Sequence, residues 1–392
     1  MLVFSRLLAE IGRKIKLPIV LGELIVGIIL GPTIFGQIAP KLFLETFPET
    51  GAVPISLNAL TNIAVVLLLF VAGLEVQLPM VLRQGKVAIL TGLGSLLVPF
   101  VMGFGVAWFL PNYLGFTQYN HHFLFALFFG TAMSISALPV ITRILMDLNL
   151  FKTNIGMIVI ACAMFNDLIG WLIFSVILAE LNKHQQTMAI GYTISLIMGF
   201  GLFMLTVGKR LIDKSLPWIQ KELSWPGGVL SILLGSCFLA AAFTEYIGLH
   251  AILGAFIMGI AFGDSVHLHE KAREIIHQFV TNIFAPLFFV SIGLKVNFID
   301  HFDLQIVSIV VFIAYSCKLL GSYIGARIGG MSKNHSLAIG FGLSARGAME
   351  IILGTLALNA HLINEKIFVA LVIMALLTSI TSGPLMRKFV DR

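Results

Sequence analysis

An all-α, polytopic membrane protein of about 13 transmembrane helices is the fold class that the sequence predicts, on the basis of composition and hydropathy. Apolar residues make up 58% of the 392 residues and charged residues 11%, whereas roughly a quarter of the residues of a soluble domain are charged. The mean hydropathy is +0.99. The apolar residues fall into a long series of runs of about 20, and each run can cross a hydrocarbon core of about 30 Å.

The apolar runs define the spans in chain order. We expect them at about residues 1–13, 18–35, 59–76, 87–110, 122–146, 155–180, 188–208, 227–246, 249–263, 276–294, 304–328, 336–359 and 364–386. The first run is shorter than a full span. The sixth and the eleventh contain isolated charged residues, and the fifth and the twelfth contain residues that favour a break in the helix.

Lys and Arg are distributed unevenly between the alternate loops of this arrangement. One set of loops holds eighteen of them, and the other set holds four: Lys41, Lys183, Lys295 and Lys366. Positively charged loops remain in the cytoplasm. We therefore expect an integral, multi-pass protein of a bacterial inner or plasma membrane, with the N-terminus outside and the C-terminus in the cytoplasm. This topology also explains the net charge of +6 without a nucleic-acid partner.

Short segments of the first half of the chain resemble segments of the second half, in the same order. The pairs are VGIILG (26–31) with MGIAFG (258–263), LLLFVAGLEVQL (67–78) with PLFFVSIGLKVNF (286–298), and FGTAMSISALPVI (129–141) with FGLSARGAMEIIL (341–353). An odd number of spans separates the members of each pair, so the two copies have opposite orientations in the membrane. Inverted repeats of this kind are typical of secondary transporters.

An acidic residue, Asp167, lies in the middle of span 6, in CAMFNDLIGWLIF (162–174), with Asn166 beside it. An ionised carboxylate in lipid is costly, so such residues face a bundle interior or a water-filled cavity and commonly serve ions or protons. Burial favours the protonated form, while the deprotonated oxygens are hard ligands for a small cation. The pair therefore predicts a site where a proton and Na⁺ or K⁺ compete for Asp167. A structural carboxylate bonded to a distant Lys is the alternative.

Two spans contain residues that favour a broken helix. TAMSISALPV (131–140) places Thr131, Ser134 and Ser136 ahead of Pro139, and GFGLSARGAME (340–350) contains three glycines. Proline removes a backbone donor and clashes with the preceding turn. A broken helix offers free carbonyls and helix ends to ions near the midplane of the membrane, so we expect these three hydroxyl residues to contribute to the ion site. The alternative is a proline kink and a glycine packing face.

Two basic residues are predicted well inside spans. Lys318 is too deep in span 11 to reach the membrane surface, so it needs an acceptor, for which Asp167, Asn166 and the carbonyls of the breaks are candidates. Arg346 has Glu350 four residues on, a spacing that pairs opposite charges on a helix, and the pair can stabilise the break. The three cysteines lie in apolar runs without metal-ligand spacing, so we expect no cofactor.

Six segments together resemble a known family. They are LPIVLGELIVGIILGPTIFG (17–36), LPVITRILMDLNLFKTNIGMIVIACAMFNDLIGW (138–171), GLHAILGAFIMGIAFG (248–263), APLFFVSIGLKVNF (285–298), CKLLGSYIGARIGG (317–330) and SARGAMEIIL (344–353). With them the chain resembles, over nearly its whole length, the cation:proton antiporter-2 family of monovalent cation/proton antiporters. The segments around Asp167 and Arg346 are similar to those of plant-type cation/proton exchangers and their bacterial relatives.

The resemblance implies a core domain with two crossing discontinuous helices, which moves against a dimerisation domain in an elevator-like cycle. Residues 87–180 and 304–386 would form the core, and residues 1–76 and 227–294 the dimerisation side of a homodimer. Residues 181–226 would form a linker helix and a cytoplasmic loop. The resemblance also implies that Asp167 binds the ion and that Lys318 partners this site. Asn166 stands where electrogenic members have a second aspartate.

A secondary antiporter that exchanges Na⁺ or K⁺ for H⁺ at one aspartate, and not an enzyme, is thus the predicted function. With asparagine at position 166, one carboxyl titrates, which predicts electroneutral exchange of one proton per cation. Deprotonation of Lys318 during the cycle would change this stoichiometry. The alternative function is a sodium-coupled symporter of an organic anion on a related fold, in which Arg346, near a positive helix end, would hold a carboxylate.

Overall fold

The computed structural model describes residues 1–14, 19–48, 50–76, 85–116, 121–181 and 190–390, and every regular element in these residues is helical. The first α-helices are α1 (Leu2–Lys14), α2 (Ile19–Leu30), α3 (Phe35–Ile38), α4 (Pro40–Thr46), α5 (Ala52–Glu75), α6 (Gly85–Phe109), α7 (His122–Ser134), α8 (Leu138–Asp147) and α9 (Asn154–Leu181). They are followed by α10 (Ile190–Phe203), α11 (Lys209–Glu222), α12 (Gly227–Tyr246), α13 (Ala251–Gly263), α14 (Glu270–Phe279), α15 (Ala285–Lys295), α16 (Leu304–Ile328), α17 (Lys333–Leu343), α18 (Ala348–Asn359) and α19 (Glu365–Val390). Two π-helical segments, Met204–Gly208 and Val280–Phe284, continue α10 into α11 and α14 into α15.

Within these residues, nine helices are long and apolar enough to cross a membrane, or ten if the bent pair α17 and α18 counts as one span. The all-α, multi-pass fold that the composition predicted is therefore confirmed. The count of thirteen stays a prediction. The first of the thirteen predicted spans corresponds to α1, which has 13 residues. Such a helix is about 20 Å long, which is less than the hydrocarbon thickness of about 30 Å.

The orientation of the two termini stays a prediction as well. Some of the basic residues that the loop count used lie outside the described residues: Lys16, Arg83, Lys183 and Arg392.

The chain divides into two compact units. Unit 1 consists of Met1–Leu8, Glu23–Pro79 and Leu178–Lys295, and unit 2 consists of Ala9–Gly22, Met80–Ile177 and Val296–Arg392. The predicted linker at 181–226 falls within the range of unit 1, although residues 182–189 lie outside the described part of the chain. The roles assigned to these ranges from the sequence stay predictions.

Unit 1 packs its helices at glycines. A Cβ atom added to Gly293 of α15 would lie 2.2 Å from the carbonyl carbon of Gly27 in α2, and one added to Gly259 of α13 would lie 2.2 Å from the carbonyl oxygen of Phe70 in α5. Small residues allow helix backbones to approach this closely in a membrane. These glycines hold α2 against α15 and α13 against α5.

The two glycine contacts are reciprocal with respect to the predicted repeat. In the paired segments, Gly27 corresponds to Gly259, and Gly73 corresponds to Gly293. Gly27 meets Gly293, and Gly259 meets Gly73, whose Cα atom would lie 3.0 Å from a Cβ on Gly259. The first segment of each predicted copy therefore packs on the second segment of the other, which is the pattern that a two-fold repeat would give. The inverted repeat itself stays a prediction.

In unit 2, helices α6 and α16 cross at small residues. A Cβ atom added to Gly321 would lie 2.2 Å from the carbonyl oxygen of Gly94, and one added to Gly325 would lie 2.2 Å from that of Leu90. Residues three apart share a helix face, so the crossing at Gly321 also directs Lys318 into the interior, where it is fully buried.

Candidate ion-binding site

The first helix break separates α7 from α8. Helix α7 ends at Ser134, Ile135 and Ala137 have extended backbones, and α8 begins at Leu138, with Pro139 in its first turn. Proline suits this position because the first N–H groups of a helix have no intrahelical acceptor. The last carbonyls of α7 have no acceptor role within the helix and need donors from elsewhere. Two basic side chains of unit 2, Arg346 and Lys318, donate to them.

The second break lies between α17 and α18, which are bent by 45°. The two breaks contact each other. The Ala137 amide donates to the Ala345 carbonyl oxygen at 3.1 Å, and Ser136 Oγ donates to the Leu343 carbonyl oxygen at 3.1 Å. The interruptions that the sequence predicted for spans 5 and 12 therefore meet within unit 2.

Arg346 joins the two breaks. Its side chain is fully buried. Nη1 donates to the Ala132 carbonyl oxygen at 2.6 Å and to Glu350 Oε1 at 2.5 Å, and Nη2 donates to the Met133 carbonyl. A cation at the C-terminal end of α7 also complements the helix dipole there. The Arg346–Glu350 contact that the spacing predicted is present, and the guanidinium also binds two carbonyls of the other broken helix.

Lys318 provides a second cation at the end of α7. Its Nζ donates to the carbonyl of Ser134, the last residue of the helix. A carbonyl at a helix break was one of the acceptors predicted for Lys318, and the structure shows this contact. The charges nearest to Lys318 include those of Arg346, Asp167 and Glu350. The buried ammonium thus lies in a group of two cations and two carboxyl groups.

Asn166 is fully buried on α9. In one orientation of the amide, Nδ2 donates to Ser95 Oγ at 2.8 Å, but Oδ1 faces the Gly92 carbonyl oxygen and Nδ2 also faces the Lys318 ammonium. In the other, Oδ1 accepts from Lys318 Nζ at 3.1 Å and from Ser95 Oγ at 2.8 Å, and Nδ2 donates to the Gly92 carbonyl oxygen at 3.2 Å. The second orientation places a donor against an acceptor at all three contacts. It makes the amide oxygen of Asn166 another acceptor for Lys318.

Asp167 lies beside the first break. Its side chain is 7% exposed, so it is close to the boundary of the protein interior. Three residues later on α9, a Cβ atom on Gly170 would lie 2.3 Å from Cγ1 of Ile135. Because residues three apart share a helix face, Asp167 lies on the face of α9 that meets the extended segment between α7 and α8.

The three hydroxyl residues of the first break are fully buried, and each donates to a backbone carbonyl. Thr131 Oγ1 donates to the Leu127 oxygen at 2.7 Å, Ser134 Oγ to the Thr131 oxygen at 2.9 Å, and Ser136 Oγ to the Leu343 oxygen. A hydroxyl that donates its hydrogen still has lone pairs to offer. All three can therefore serve as oxygen ligands, and their role at the ion site stays a prediction.

Sequence reasoning missed two residues that support this arrangement. Ser95 of α6 contacts the Asn166 amide, and Ser379 of α19 donates to the Arg346 carbonyl. Each is a small polar residue inside an apolar span. That polarity was the available signal, and it is weak because serine in a membrane helix commonly bonds to its own backbone.

Comparison with known proteins identifies the group to which this architecture belongs. The family model described as sodium/hydrogen exchanger, transmembrane, matches residues 2–390. The chain belongs to the sodium/hydrogen exchanger family. Members of this family are transporters rather than enzymes, in agreement with the sequence prediction, and the family resemblance that the motifs indicated is confirmed.

Named relatives of this exchanger-family chain occur in bacteria and plants. It is 32% identical over 388 residues to the Na⁺/H⁺ antiporter NhaS4 of Synechocystis, covering 98% of this chain and 94% of that protein. It is 31% identical over 392 residues to cation/H⁺ antiporter 17 of Arabidopsis thaliana, covering 98% of this chain but 47% of that protein.

A solved structure shares the fold. The chain resembles the sodium/proton antiporter MjNhaP1 of Methanocaldococcus jannaschii with a TM-score of 0.66 and 18% identity, over 99% of this chain and 94% of the other. At this level of identity the likeness concerns the fold.

Proposed function

We propose that this protein is a secondary antiporter that exchanges a monovalent cation, Na⁺ or K⁺, for a proton at Asp167. The observation that carries the proposal is the position of Asp167, a carboxylate 7% exposed beside a helix break inside a membrane-spanning unit. An acid in this setting can hold either a proton or a small cation. The names of the relatives, which include Na⁺/H⁺ and K⁺/H⁺ antiporters, support the same activity.

The surroundings of Asp167 suit reversible occupancy. The carbonyls of Ala132, Met133 and Ser134 are already bound by Arg346 and Lys318, so the break keeps its shape whether or not a cation is present. A preformed site changes little when it exchanges one ligand for another. Thr131, Ser134 and Ser136 then offer oxygen lone pairs to the cation, with Asn166 beside the carboxylate.

The charges of the site favour electroneutral exchange. Two cations, Lys318 and Arg346, and two carboxylates, Asp167 and Glu350, sum to zero when all four are ionised. Adding one proton or one monovalent cation then gives the same total. The proton-bound site and the cation-bound site therefore carry the same net charge, provided that Lys318 keeps its proton in both. Release of that proton on cation binding would make the exchange electrogenic.

The division of the chain supports a cycle in which the site moves as one body. All eight candidate residues, which are Thr131, Ser134, Ser136, Asn166, Asp167, Lys318, Arg346 and Glu350, belong to unit 2. We propose that unit 2 is the transport core of an elevator-type cycle, and that unit 1, with its helices locked at glycines, is the dimerisation scaffold of a homodimer. The reciprocal glycine contacts of unit 1 also support the inverted repeat.

The alternative, a sodium-coupled symporter of an organic anion, needs a cation that can hold a carboxylate. Arg346 was the candidate for this role. Both of its terminal nitrogens already bind protein oxygens, from Ala132, Met133 and Glu350. The arrangement of Arg346 therefore favours the antiporter.

Transport by the purified protein tests the proposal. In proteoliposomes that hold a pH-sensitive dye, Na⁺, K⁺ and Li⁺ added in turn should drive proton movement for at least one cation. Asp167→Asn should abolish it, whereas Asp303→Asn, at the N-terminus of α16, should leave it intact. Proton movement that survives Asp167→Asn would overturn the assigned role. A potential-sensitive dye tests electroneutrality in the same vesicles, since a potential generated by a cation gradient would contradict it.

A further inference from the structure

Helix α11 continues a membrane-spanning helix of unit 1 beyond the apolar part of its sequence. Gly191–Glu222 forms one helical run of 32 residues, which is about 48 Å long, whereas the hydrocarbon core of a membrane is about 30 Å thick. The uncharged part of this run ends at Gly208, and its first charged residue is Lys209. We therefore expect α11 to lie where the membrane meets water.

One face of α11 is fixed to the rest of unit 1. Ser265 Oγ donates to the carboxylate of Asp213, and Gln220 Nε2 donates to the His267 carbonyl oxygen at 3.0 Å. Both partners belong to the connection between α13 and α14. The side chains that this face buries are Ile212, Leu216 and Ile219. The opposite face of α11 therefore has a defined orientation.

The opposite face carries an exposed apolar stripe that begins in α10. It consists of Phe203, Val207, Leu211 and Trp218, and the last two are each 61% exposed. Successive members are four or seven residues apart, a spacing that places them on one side of a helix. In α10 the stripe lies within the apolar run that crosses the hydrocarbon core, so acyl chains can cover it there and follow it into α11.

A basic stripe runs beside the apolar stripe. It consists of Arg210, Lys214 and Lys221, which are exposed. Lys214 is four residues after Arg210 and three after Leu211, so the two stripes are adjacent on the helix surface. None of the three basic side chains has an ion-pair partner among the residues that the structure describes, whereas Lys209 pairs with Asp264. The positive-inside rule explains basic residues at a helix end, but it does not require them to form a stripe along exposed apolar side chains.

We infer that α11 binds the headgroups of anionic phospholipids at the membrane surface, with the apolar stripe among the acyl chains and the basic stripe on the phosphates. Tryptophan suits this interface because its ring is apolar and its N–H is polar. Glu222 is the one exposed carboxylate of the helix, so the basic residues outnumber it, and anionic lipids attract such segments. Helix α11 is about 21 Å long, more than the depth of one headgroup layer, which is about 5–8 Å. The inference therefore requires that α11 tilt toward the membrane plane.

Quenching of tryptophan fluorescence by brominated lipids tests the inference in the intact protein. The protein is placed in phosphatidylcholine bilayers that contain either brominated phosphatidylglycerol, which is anionic, or brominated phosphatidylcholine. The signal of Trp218 is the difference between the wild type and Trp218→Phe. The anionic lipid should associate with this position at least about fivefold more strongly, since one basic residue near an anionic surface contributes about that factor. Salt screens charges at a surface, so the preference should fall as salt is added.

Two triple variants separate the α11 surface from the total charge of the protein. The first replaces the basic stripe, by Arg210→Gln, Lys214→Gln and Lys221→Gln, and should lower the preference to less than about twofold. The second removes the same charge from exposed residues near helix ends of unit 2, by Lys152→Gln, Lys333→Gln and Lys388→Gln. These residues lie on the same predicted side of the membrane, and the second variant should keep the wild-type preference.

The outcomes are distinguishable. Equal association of the two lipids with the wild type, or a preference that survives loss of the basic stripe, would overturn the inference. A Trp218 signal that neither lipid quenches would also overturn it, because protein, such as a second copy of this chain, would then cover the face. If the first triple variant accumulates poorly, the salt dependence of the wild type decides, since a preference that salt leaves unchanged would contradict binding by charge. No ion transport is measured, so this inference and the proposed function can fail separately.

Discussion

In unit 1, a partly exposed charged pair lies near the ends of two helices, whereas in unit 2 three charged side chains are buried at the helix breaks. Glu75 and His277 of unit 1 lie 3.4 Å apart, with side chains 26% and 45% exposed. Arg346, Lys318 and Glu350 of unit 2 are 0%, 0% and 2% exposed. Unit 1 also has buried carboxyl groups: Glu23 of α2 is 3% exposed and lies near Arg6, and the side chain of Asp264, which pairs with Lys209, is 7% exposed.

The difference between the units lies in their buried charges, since helices pack closely at glycines in both units. Unit 1 relies on backbones that touch at Gly27, Gly73, Gly259 and Gly293, and such contacts need no charge. Unit 2 interrupts two helices and satisfies the exposed carbonyls with buried cations. Breaking a buried ion pair leaves a charge without compensation, whereas an exposed pair contributes little. The breaks therefore concentrate buried charge, and they are the part of the fold that we propose binds an ion.

Arg346→Ala should have the largest effect. It leaves Glu350 and the carbonyls of Ala132 and Met133 without their donor, so it should destabilise the protein by about 3–5 kcal/mol. The measurement is the fraction of protein that elutes as a folded species and its melting temperature. In unit 1, His277→Ala removes an exposed pair and should cost less than about 1 kcal/mol. Equal losses in the two variants would remove the contrast between the units.

Gly293→Ala tests the glycine packing of unit 1. Its new methyl group would lie 2.2 Å from the Gly27 backbone, and overpacking of this kind costs about 1–3 kcal/mol. Gly235→Ala is the control, since nothing lies within 4 Å of a Cβ at this position of α12. That variant should be neutral or more stable by up to about 1 kcal/mol, because alanine is the better helix former. A thermal melt that ranks the two variants in the reverse order would contradict the packing account.

Asp303, at the N-terminus of α16, should show a smaller effect than Arg346 or Gly293. Its carboxylate accepts from the backbone amides of Gln305 and Ile306. The Ile306 amide, chiefly, and Lys366 hold the pKa of Asp303 below its ordinary value. Asp303→Ala removes the cap and should cost about 1 kcal/mol.

The charge of Asp303 predicts a pH dependence. A carboxyl with a lowered pKa in the folded state contributes stability above its unfolded pKa of about 4, and this contribution is lost as the pH falls through the folded pKa. Asparagine caps a helix as well as aspartate does, so Asp303→Asn isolates the charge. The wild-type protein should melt slightly above this variant at pH 7, and the gap should close in strong acid. A gap that persists below both pKa values would contradict the assignment.

The helix breaks could be predicted from the sequence because they follow from local chemistry. Pro139 and the glycines around Arg346 interrupt apolar runs, and Glu350 lies at the spacing that pairs with Arg346 along a helix. The other partners of Arg346, the Ala132 and Met133 carbonyls, lie more than 200 positions away in the chain. Any backbone carbonyl looks the same in a sequence, so these contacts required the fold.

The network around Asn166 could be predicted only in part. Lys318 needed an acceptor because it lies deep in an apolar span, and both the Asn166 amide and a carbonyl at a break were among the candidates. Ser95 carried no comparable signal, since a serine in a membrane helix can bond to its own turn, as this one can to Gly92. Ser95 reaches the site because α6 crosses α16, and this crossing depends on glycines that are far apart in sequence.

Competition between a proton and a cation at Asp167 is the central claim, and proton release on cation binding tests it most directly. Purified protein in weakly buffered detergent solution is titrated with Na⁺ or K⁺ while a pH dye records protons and calorimetry records binding. The account predicts release of about one proton per cation bound near the pH at which Asp167 is protonated, and no release from Asp167→Asn. Cation binding by the wild-type protein without proton release, or equal release by the variant, would contradict it.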